Sequence, residues 1–275
     1  MLPGVIRKRL TILRHRLELR CVGTRAPNTS ALVRQDQVDL PGLLADRAAA
    51  RGTEELMGRL AQIGISERAG GVNPGDRRAI YTLIHHFRPR AVLEIGTHIG
   101  ASTLCMAAAL DSNDADGAVE GLWTVDIEDV NDPVARPWQR YGSQQSPEQM
   151  VRALGYQGLV HFVTRRSLEF LEETDKKFDF VFLDGDHAAK TVYRELPLAL
   201  DRLAPGGVIL LHDCFPALRP LWSDKSVIPG PWLAVERLRR EGARIRAIPL
   251  GNLPWPTKLG SSATSLALIV ATGHG

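Results

Sequence analysis

From residue 91 to the end of the chain, short runs of β-branched and aromatic residues alternate with helical patterns. Seven runs predict strands, at Ala91–Ile95, Leu122–Ile127, Val160–Thr164, Phe178–Asp184, Val208–Asp213, Ala243–Ile248 and Ser265–Thr272. This alternation is typical of a parallel sheet that helices cover on both faces. The sequence therefore predicts an α/β fold with a seven-stranded, mostly parallel sheet.

Residues 1–75 read as a helical N-terminal extension, or cap, in front of a domain at residues 76–275. Apolar residues recur at helical spacing on both sides of this boundary, at Leu56, Leu60, Ile63, Ile80, Leu83, Ile84 and Phe87. Such spacing predicts amphipathic helices that cover the sheet or a partner subunit.

The first 25 residues are strongly basic, with seven Lys or Arg and one acid. One helical stripe there can hold five apolar residues, Val5, Ile6, Leu10, Leu13 and Leu17. A stripe flanked by arginines suits a subunit interface or an anionic surface. We expect a homo-oligomer, with a disordered tail as the alternative.

Charge and cysteine content exclude several classes of protein. The 34 Lys and Arg nearly balance the 31 Asp and Glu, which speaks against a dedicated nucleic-acid binder. The three cysteines, Cys21, Cys105 and Cys214, have no C-x-x-C spacing, so neither a disulfide framework nor a zinc site is suggested. No apolar run reaches the roughly 18 to 20 residues of a membrane span, and no signal-peptide pattern opens the chain. We expect a cytoplasmic protein.

A glycine loop, Glu94-Ile95-Gly96-Thr97-His98-Ile99-Gly100, follows the first predicted strand and leads into a helix. Glycines are needed where a ligand approaches the backbone or where φ is positive. His98 breaks the G-x-G-x-x-G pattern of dinucleotide folds, which disfavours NAD. Asp126, at the tip of the second strand, can accept both hydroxyls of a ribose.

The glycine loop and the acid after the second strand occur in the same order as the motifs of the class I S-adenosylmethionine (SAM)-dependent methyltransferases. The sequence resembles that family over about residues 76–275. The resemblance implies a Rossmann-like fold and SAM as cofactor. It assigns cofactor binding to Glu94, Gly96, Thr97, Gly100, Ser102, Asp126, Ser167 and Asp184. Within this set, Asp126 matches the ribose-binding acid and Ser167 sits where an adenine contact is expected. A tight βα turn without a ligand, and a solvated loop acid at Asp126, are the structural alternatives.

Two polar clusters follow the fourth and fifth strands, Asp184-Gly185-Asp186-His187 and His212-Asp213-Cys214. In an open parallel sheet the carboxyl ends of neighbouring strands form the ligand crevice, so these clusters should face each other. Burying like charges together is costly unless a cation or a proton bridges them.

These clusters resemble a methyltransferase subgroup that acts on hydroxyls of sugars and other natural-product scaffolds. The resemblance implies catalytic roles for Asp184 and Asp213, His187 as general base, and a metal, Mg²⁺ or Mn²⁺, held by Asp184, His212 and Asp213. His212 stands where metal-dependent members carry glutamate, and Cys214 where catechol-type relatives carry asparagine. Both departures remove a hard oxygen ligand, so His212 would suit Mn²⁺, Fe²⁺ or Zn²⁺ better than Mg²⁺. The alternative is a metal-free site in which both aspartates hold acceptor hydroxyls.

Together these residues predict a SAM-dependent O-methyltransferase that acts on a small molecule. A sugar hydroxyl is too weak an acid to ionise unaided, so a base such as His187, or less favourably His98, would remove its proton. A catalytically silent binding protein on the same fold is one alternative. A nucleic-acid methyltransferase is another, weakened because no N-P-P-Y-like motif follows the fourth strand.

Two aromatic segments complete the predicted site. The segment Phe215–Trp232 is long for a βα loop and rich in Pro and Trp, which predicts a lid over the acceptor pocket or a surface loop with its tryptophans in the core. Trp255, between two prolines, would line the pocket or brace the connection between the last two strands.

Overall fold

The computed structural model describes residues 4–24, 27–62, 71–115 and 117–272, with residues 4–7 described by their backbone alone. One sheet has the spatial strand order β3-β2-β1-β4-β5-β7-β6. Its strands are β1 (Ala91–Ile95), β2 (Gly121–Asp126), β3 (Val160–Thr164), β4 (Phe178–Leu183), β5 (Leu203–Leu211), β6 (Ile245–Pro249) and β7 (Ala267–Ala271). Strands β1 to β5 are parallel, and β7 is antiparallel to β5 and β6.

The predicted fold class is therefore confirmed. The largest boundary difference is in β5, which was expected to start at Val208 and starts at Leu203. Leu203 already pairs with Phe178, and a register shift follows before the regular pairing of Val208 with Phe180. An irregular strand start of this kind leaves no alternating pattern in the sequence.

The α-helices in the described part of the chain are α1 (Gly4–Arg20), α2 (Leu40–Leu44), α3 (Arg47–Gln62), α4 (Pro74–Phe87), α5 (Ala101–Asn113), α6 (Pro147–Ala153), α7 (Ser167–Glu173), α8 (Ala189–Asp201) and α9 (Gly230–Arg240). Asn73 caps α4, because its side chain accepts a hydrogen bond from the backbone N–H of Asp76. No helix among residues 4–24, 27–62, 71–115 and 117–272 is both long and apolar enough to cross a bilayer.

Alternate strand residues point to opposite faces, and each face has its own buried cluster. Phe180, Phe182 and Leu210 pack against α2 to α6, whereas Val181 and Leu211 pack against α1, α7, α8 and α9. The predicted helical stripe of α4 is fully buried on the first of these faces, except for the half-buried Phe87. Ile63 lies outside the described residues.

The N-terminal extension shares the core of the sheet. Leu32 forms a bridge with Gly207 of β5, and Arg34 forms one with Ala271 of β7. One helix, α4, spans the predicted boundary between residues 75 and 76. Because α4 precedes β1 and packs antiparallel to it, its N-terminus lies at the carboxyl edge of the sheet.

Candidate active site

A cleft of about 940 Å³ opens at the carboxyl ends of the parallel strands. It is lined by the loops that follow β1 to β4 and by the end of β5. Open α/β sheets bind ligands at this edge, where the strand order reverses between β1 and β4. The cleft volume falls within the roughly 300–1,000 Å³ that is usual for small-molecule sites.

The glycine loop after β1 is held in place by its neighbours. Gly96 has φ of 99°, and a Cβ there would lie 2.5 Å from the carbonyl oxygen of Asp184, so only glycine fits. Oδ2 of Asp126 accepts the backbone N–H groups of Thr97 and His98, at 3.0 and 2.9 Å. Oδ1 of Asp126 accepts the backbone N–H of Glu128 at 3.1 Å. A carboxylate has about four lone-pair positions, so these three bonds leave Asp126 capacity for one ligand hydroxyl.

Glu94 lies behind this loop, not in the cleft. Its carboxylate is fully buried and accepts hydrogen bonds from the hydroxyls of Ser102, Thr103 and Thr124. Burial raises the pKa of Glu94 to about 7, against the opposing effect of the three hydroxyls. In the structure this side chain ties β1 and β2 to the first turn of α5.

The other residues assigned to the cofactor divide into two groups. Those that line the cleft are Gly96, Thr97, Ser102, Asp126, Ser167 and Asp184. Gly100, like Glu94, does not line it and forms the left-handed start of α5. Ser167 borders the cleft, but its hydroxyl donates a hydrogen bond to the buried Glu195. Burial raises the pKa of Glu195 to about 7.

The two polar clusters do face each other across β4 and β5. Nδ1 of His212 lies 2.8 Å from Oδ1 of Asp184 and 3.8 Å from Oδ2 of Asp213. The short contact lacks hydrogen-bond geometry, since Nδ1 has no hydrogen-bond partner among the described residues. One ligand atom from each residue lies within 4.8 Å of the others, close enough for all three to contact one metal ion.

Asp76, in the first turn of α4, was not expected in this site. Its Oδ2 lies 3.2 Å from Nε2 of His212 and accepts a hydrogen bond of 2.6 Å from the side-chain amide of Asn73. Asp76 is fully buried, and its Oδ1 has no partner in the described part of the chain. His212 is therefore held between two carboxylates, one on each ring nitrogen.

This environment shifts the pKa of His212. Burial on its own lowers the pKa of the imidazole, but the charges of Asp184 and Asp213 and the contacts with Asp184 and Asp76 outweigh it. The pKa of His212 therefore lies well above its usual value.

His187 lies on the loop between β4 and α8, at the edge of the cluster. Its Nε2 is 3.4 Å from Oδ2 of Asp213, and its side chain is 37% exposed. Gly230, the first residue of α9, packs on this loop so closely that a Cβ would lie 1.8 Å from the carbonyl oxygen of His187. Asp213 has φ of 51°, a strained conformation of the kind found at functional sites.

His98 also borders the cleft, and its ring packs against Tyr141 with centroids 4.0 Å apart. Burial lowers the pKa of His98, although Asp126, Asp184 and Glu128 oppose this effect. The ring borders the cleft, so His98 is still a second candidate for the base.

The expected lid does not border the cleft. No residue of Phe215–Trp232 is among its lining residues, and the rings of Phe215 and Trp222 pack edge to face in the interior. The alternative, a loop with its tryptophans in the core, describes Trp222, which is buried, whereas Trp232 is half-buried and lies in the first turn of α9. Trp255 braces the chain, because its indole N–H donates to the carbonyl of Gly75 at 2.9 Å.

The donor set fits a divalent metal of borderline softness. Two carboxylates and one imidazole nitrogen converge, and that nitrogen is buried without a hydrogen-bond partner among the described residues. Metal-binding histidines usually donate their other ring N–H to a carboxylate, as His212 can to Asp76. Imidazole favours Mn²⁺, Fe²⁺ or Zn²⁺ over Mg²⁺.

Residues 93–214, which include the glycine loop and the two polar clusters, match a family model described as a methyltransferase domain. The chain superposes on an O-methyltransferase from Bacillus cereus in complex with S-adenosylhomocysteine (SAH), with a TM-score of 0.52 and 19% identity, over 81% of this chain and 91% of that one. It also superposes on TomG from Streptomyces achromogenes, an O-methyltransferase involved in tomaymycin synthesis and bound to SAM, with a TM-score of 0.51 and 19% identity over 83% of this chain and 91% of that one. These likenesses show the fold.

Two curated proteins share sequence with the chain. A protein of Mycobacterium sp. (strain JLS), provisionally named an O-methyltransferase, is 27% identical over 145 residues, which is 52% of this chain and 57% of that protein. An uncharacterized protein of Sinorhizobium fredii is 28% identical over 138 residues, 48% of this chain and 14% of that protein. The chain thus spans little more than half of one relative and a small part of the other.

Proposed function

We propose that this protein is a SAM-dependent O-methyltransferase that acts on a hydroxyl of a small molecule, a sugar or other natural-product intermediate. The observation that carries the proposal is the convergence of Asp184, His187, His212 and Asp213 in the same cleft as the glycine loop. The methyltransferase-domain match and the SAM- and SAH-bound neighbours support the cofactor.

Cofactor binding would use the loop that Gly96 and Asp126 shape. The carboxylate of Asp126 already fixes the backbone of the loop, so the loop would need little further ordering when the cofactor binds. The free lone pair of Asp126 would accept a ribose hydroxyl. Asp184, whose carbonyl packs on Gly96, connects this half of the cleft with the polar cluster.

Methyl transfer from a sulfonium is an in-line displacement, so the acceptor oxygen must lie behind the methyl group and lose its proton. His187 lines the cleft with a partly exposed side chain, and its Nε2 would take that proton. Asp213, 3.4 Å away, would stabilise the imidazolium that results. An amine acceptor would not need such a base, which favours oxygen.

A divalent metal would be held by Asp184, Asp213 and Nδ1 of His212. When bound, it would lower the pKa of the acceptor hydroxyl and orient it. Asp76 would accept the Nε2 proton of His212 and so keep the lone pair of Nδ1 directed at the two aspartates.

The acceptor class follows from the polar character of this end of the cleft. Carboxylates accept hydrogen bonds from hydroxyls, and imidazoles can donate or accept them. Together they can bind several hydroxyls at once, as a sugar or another polyhydroxylated scaffold would require. TomG, the tomaymycin-pathway neighbour, is consistent with a natural-product acceptor.

A homo-oligomer is part of the proposal. On α1, Leu10, Leu13 and Leu17 are each about half exposed, at 51, 52 and 49%, and lie on one helical face. Val5 and Ile6 have no described side chains. Replacing the three leucines with Gln should lower the mass measured by light scattering and leave SAH affinity unchanged. An unchanged mass would contradict pairing through α1.

Methyl-labelled SAM, incubated with the protein and separate pools of glycosides, RNA and DNA, tests the proposed activity. We expect label in the glycoside pool as an alkali-stable ether. Salt-sensitive labelling of RNA or DNA would contradict the small-molecule proposal. SAH affinity, measured by calorimetry on the same protein, distinguishes a wrong acceptor from a protein that does not bind the cofactor.

A further inference from the structure

A second cavity, of about 560 Å³, lies on the outer side of α4. Its apolar wall is formed by α2 and the segment after β6, and includes Leu40, Leu44, Leu250, Leu253 and Trp255. Within the described residues it shares no lining residue with the catalytic cleft. Arg78 also lines this cavity. It follows Asp76 by two residues, which corresponds to a rotation of about 200° around a helix. Arg78 therefore faces away from the side of α4 on which Asp76 contacts His212.

Arg78 is the unusual residue of this cavity. Its guanidinium stacks on the ring of Trp255, 4.3 Å from the ring centre. Its Nε is buried and has no hydrogen-bond partner in the part of the chain that the structure describes. A buried N–H without an acceptor is costly, and stacking does not relieve it because the N–H groups lie in the plane of the guanidinium.

The cavity offers Arg78 no free counter-ion of its own. Asp46, the acid in its wall, accepts the backbone N–H groups of Ala48 and Ala49 and pairs with His85 at 3.2 Å. Arg47, exposed at the start of α3, adds a second positive charge to the rim. The cavity is therefore apolar on one side and cationic on the other.

We propose that this cavity is a second ligand site, which binds a small amphipathic carboxylate. The carboxylate would pair with Nε and a terminal nitrogen of Arg78, the bidentate geometry that a guanidinium offers. The apolar body would pack on Leu44, Leu253 and Trp255. The indole N–H of Trp255 also donates to the carbonyl of Gly75, so the ligand would contact a residue that is bonded to the turn carrying Asp76.

Calorimetric titration with decanoate tests this site, with decanol as the uncharged probe of the same chain length. We expect one saturable decanoate site per chain and at least tenfold weaker binding of decanol. Arg78→Gln should weaken decanoate binding at least tenfold, because it removes the charge and the paired donors. Arg51→Gln, which removes an exposed arginine of α3 outside the cavity, should leave decanoate affinity unchanged.

A second variant keeps the proposal falsifiable if Arg78→Gln perturbs folding. Ala45→Trp fills the cavity from the residue that follows α2, leaves Arg78 in place and should abolish decanoate binding. SAH affinity reports an intact fold. The proposal is overturned if decanoate shows no saturable site, if decanol binds equally well, if either cavity variant binds decanoate like the wild type, or if SAH displaces decanoate.

Discussion

Oδ2 of Asp76 lies 3.2 Å from Nε2 of His212, although 136 positions separate the two residues in the chain. The first belongs to the N-terminal turn of α4 and the second follows β5. The contact fixes which ring nitrogen of His212 faces Asp184 and Asp213. It therefore relates a helix outside the matched methyltransferase domain to the proposed catalytic centre.

Asp76→Asn should weaken Mn²⁺ binding by about 10- to 100-fold, because a ligating imidazole loses its carboxylate partner. Calorimetry with Mn²⁺ and, separately, with SAH measures this, and SAH affinity should not change. His86→Gln, at an exposed position of the same helix, is the control and should leave Mn²⁺ affinity intact. Equal loss of Mn²⁺ affinity in both variants would assign Asp76 a purely structural role.

His187→Gln should lower kcat by about 10²- to 10⁴-fold, the usual contribution of a general base, with little change in KM for SAM. His98→Gln is the comparison, since that ring also borders the cleft. A larger effect of His98→Gln on kcat would exchange the roles of the two histidines.

Asp126→Ala should raise the Kd of SAH at least tenfold. The substitution removes the carboxylate that accepts the backbone N–H groups of Thr97 and His98 and that would also accept a ribose hydroxyl. Asp129→Ala, an exposed acid three positions further along, serves as the control and should bind SAH normally. Wild-type SAH affinity in Asp126→Ala would show that the ribose site lies elsewhere.

Removal of divalent metal should stop turnover and spare SAH binding. We expect excess EDTA to abolish methyl transfer, and Mn²⁺ to restore it at lower concentration than Mg²⁺, since one ligand is an imidazole. Full activity in excess EDTA would exclude the metal and leave His187 as the base.

The stability of the protein should depend on the ionisation of Glu195. Burial raises the pKa of this carboxyl to about 7 in the folded protein, above its ordinary value of 4.5. Because the pKa of Glu195 is higher in the folded protein than in the unfolded chain, the protonated carboxyl stabilises the fold below pH 4.5. This stabilisation is lost as the pH rises to about 7 and is absent above that pH. The loss is on the order of 3 kcal/mol.

Glu195→Gln should therefore raise the free energy of unfolding at pH 8 relative to the wild type, and change it little at pH 4.5. Urea unfolding at both pH values measures the difference. Glu172→Gln, an exposed acid at the C-terminal end of α7, is the control and should show no such pH dependence. A stability difference that is the same at both pH values would contradict the buried, neutral carboxyl.

Local patterns determined much of this protein from the sequence alone. Strand periodicity and the intervening helices predicted the sheet, and the glycine loop predicted a tight turn after β1. The clusters at Asp184 and His212 could be placed together because the carboxyl ends of parallel strands meet at one edge. Each inference needed only neighbouring residues and one topological rule.

Only the tertiary structure showed the contacts of Asp76 and Glu94 and the position of Arg78. In the sequence, Asp76 reads as an ordinary acid in the first turn of a capped helix, which it also is. Glu94 reads as a cofactor ligand, but three hydroxyls surround it behind the loop. These contacts join residues far apart in the chain, so they leave no periodic signal, and burial with specific partners, not residue type, determines what each side chain does.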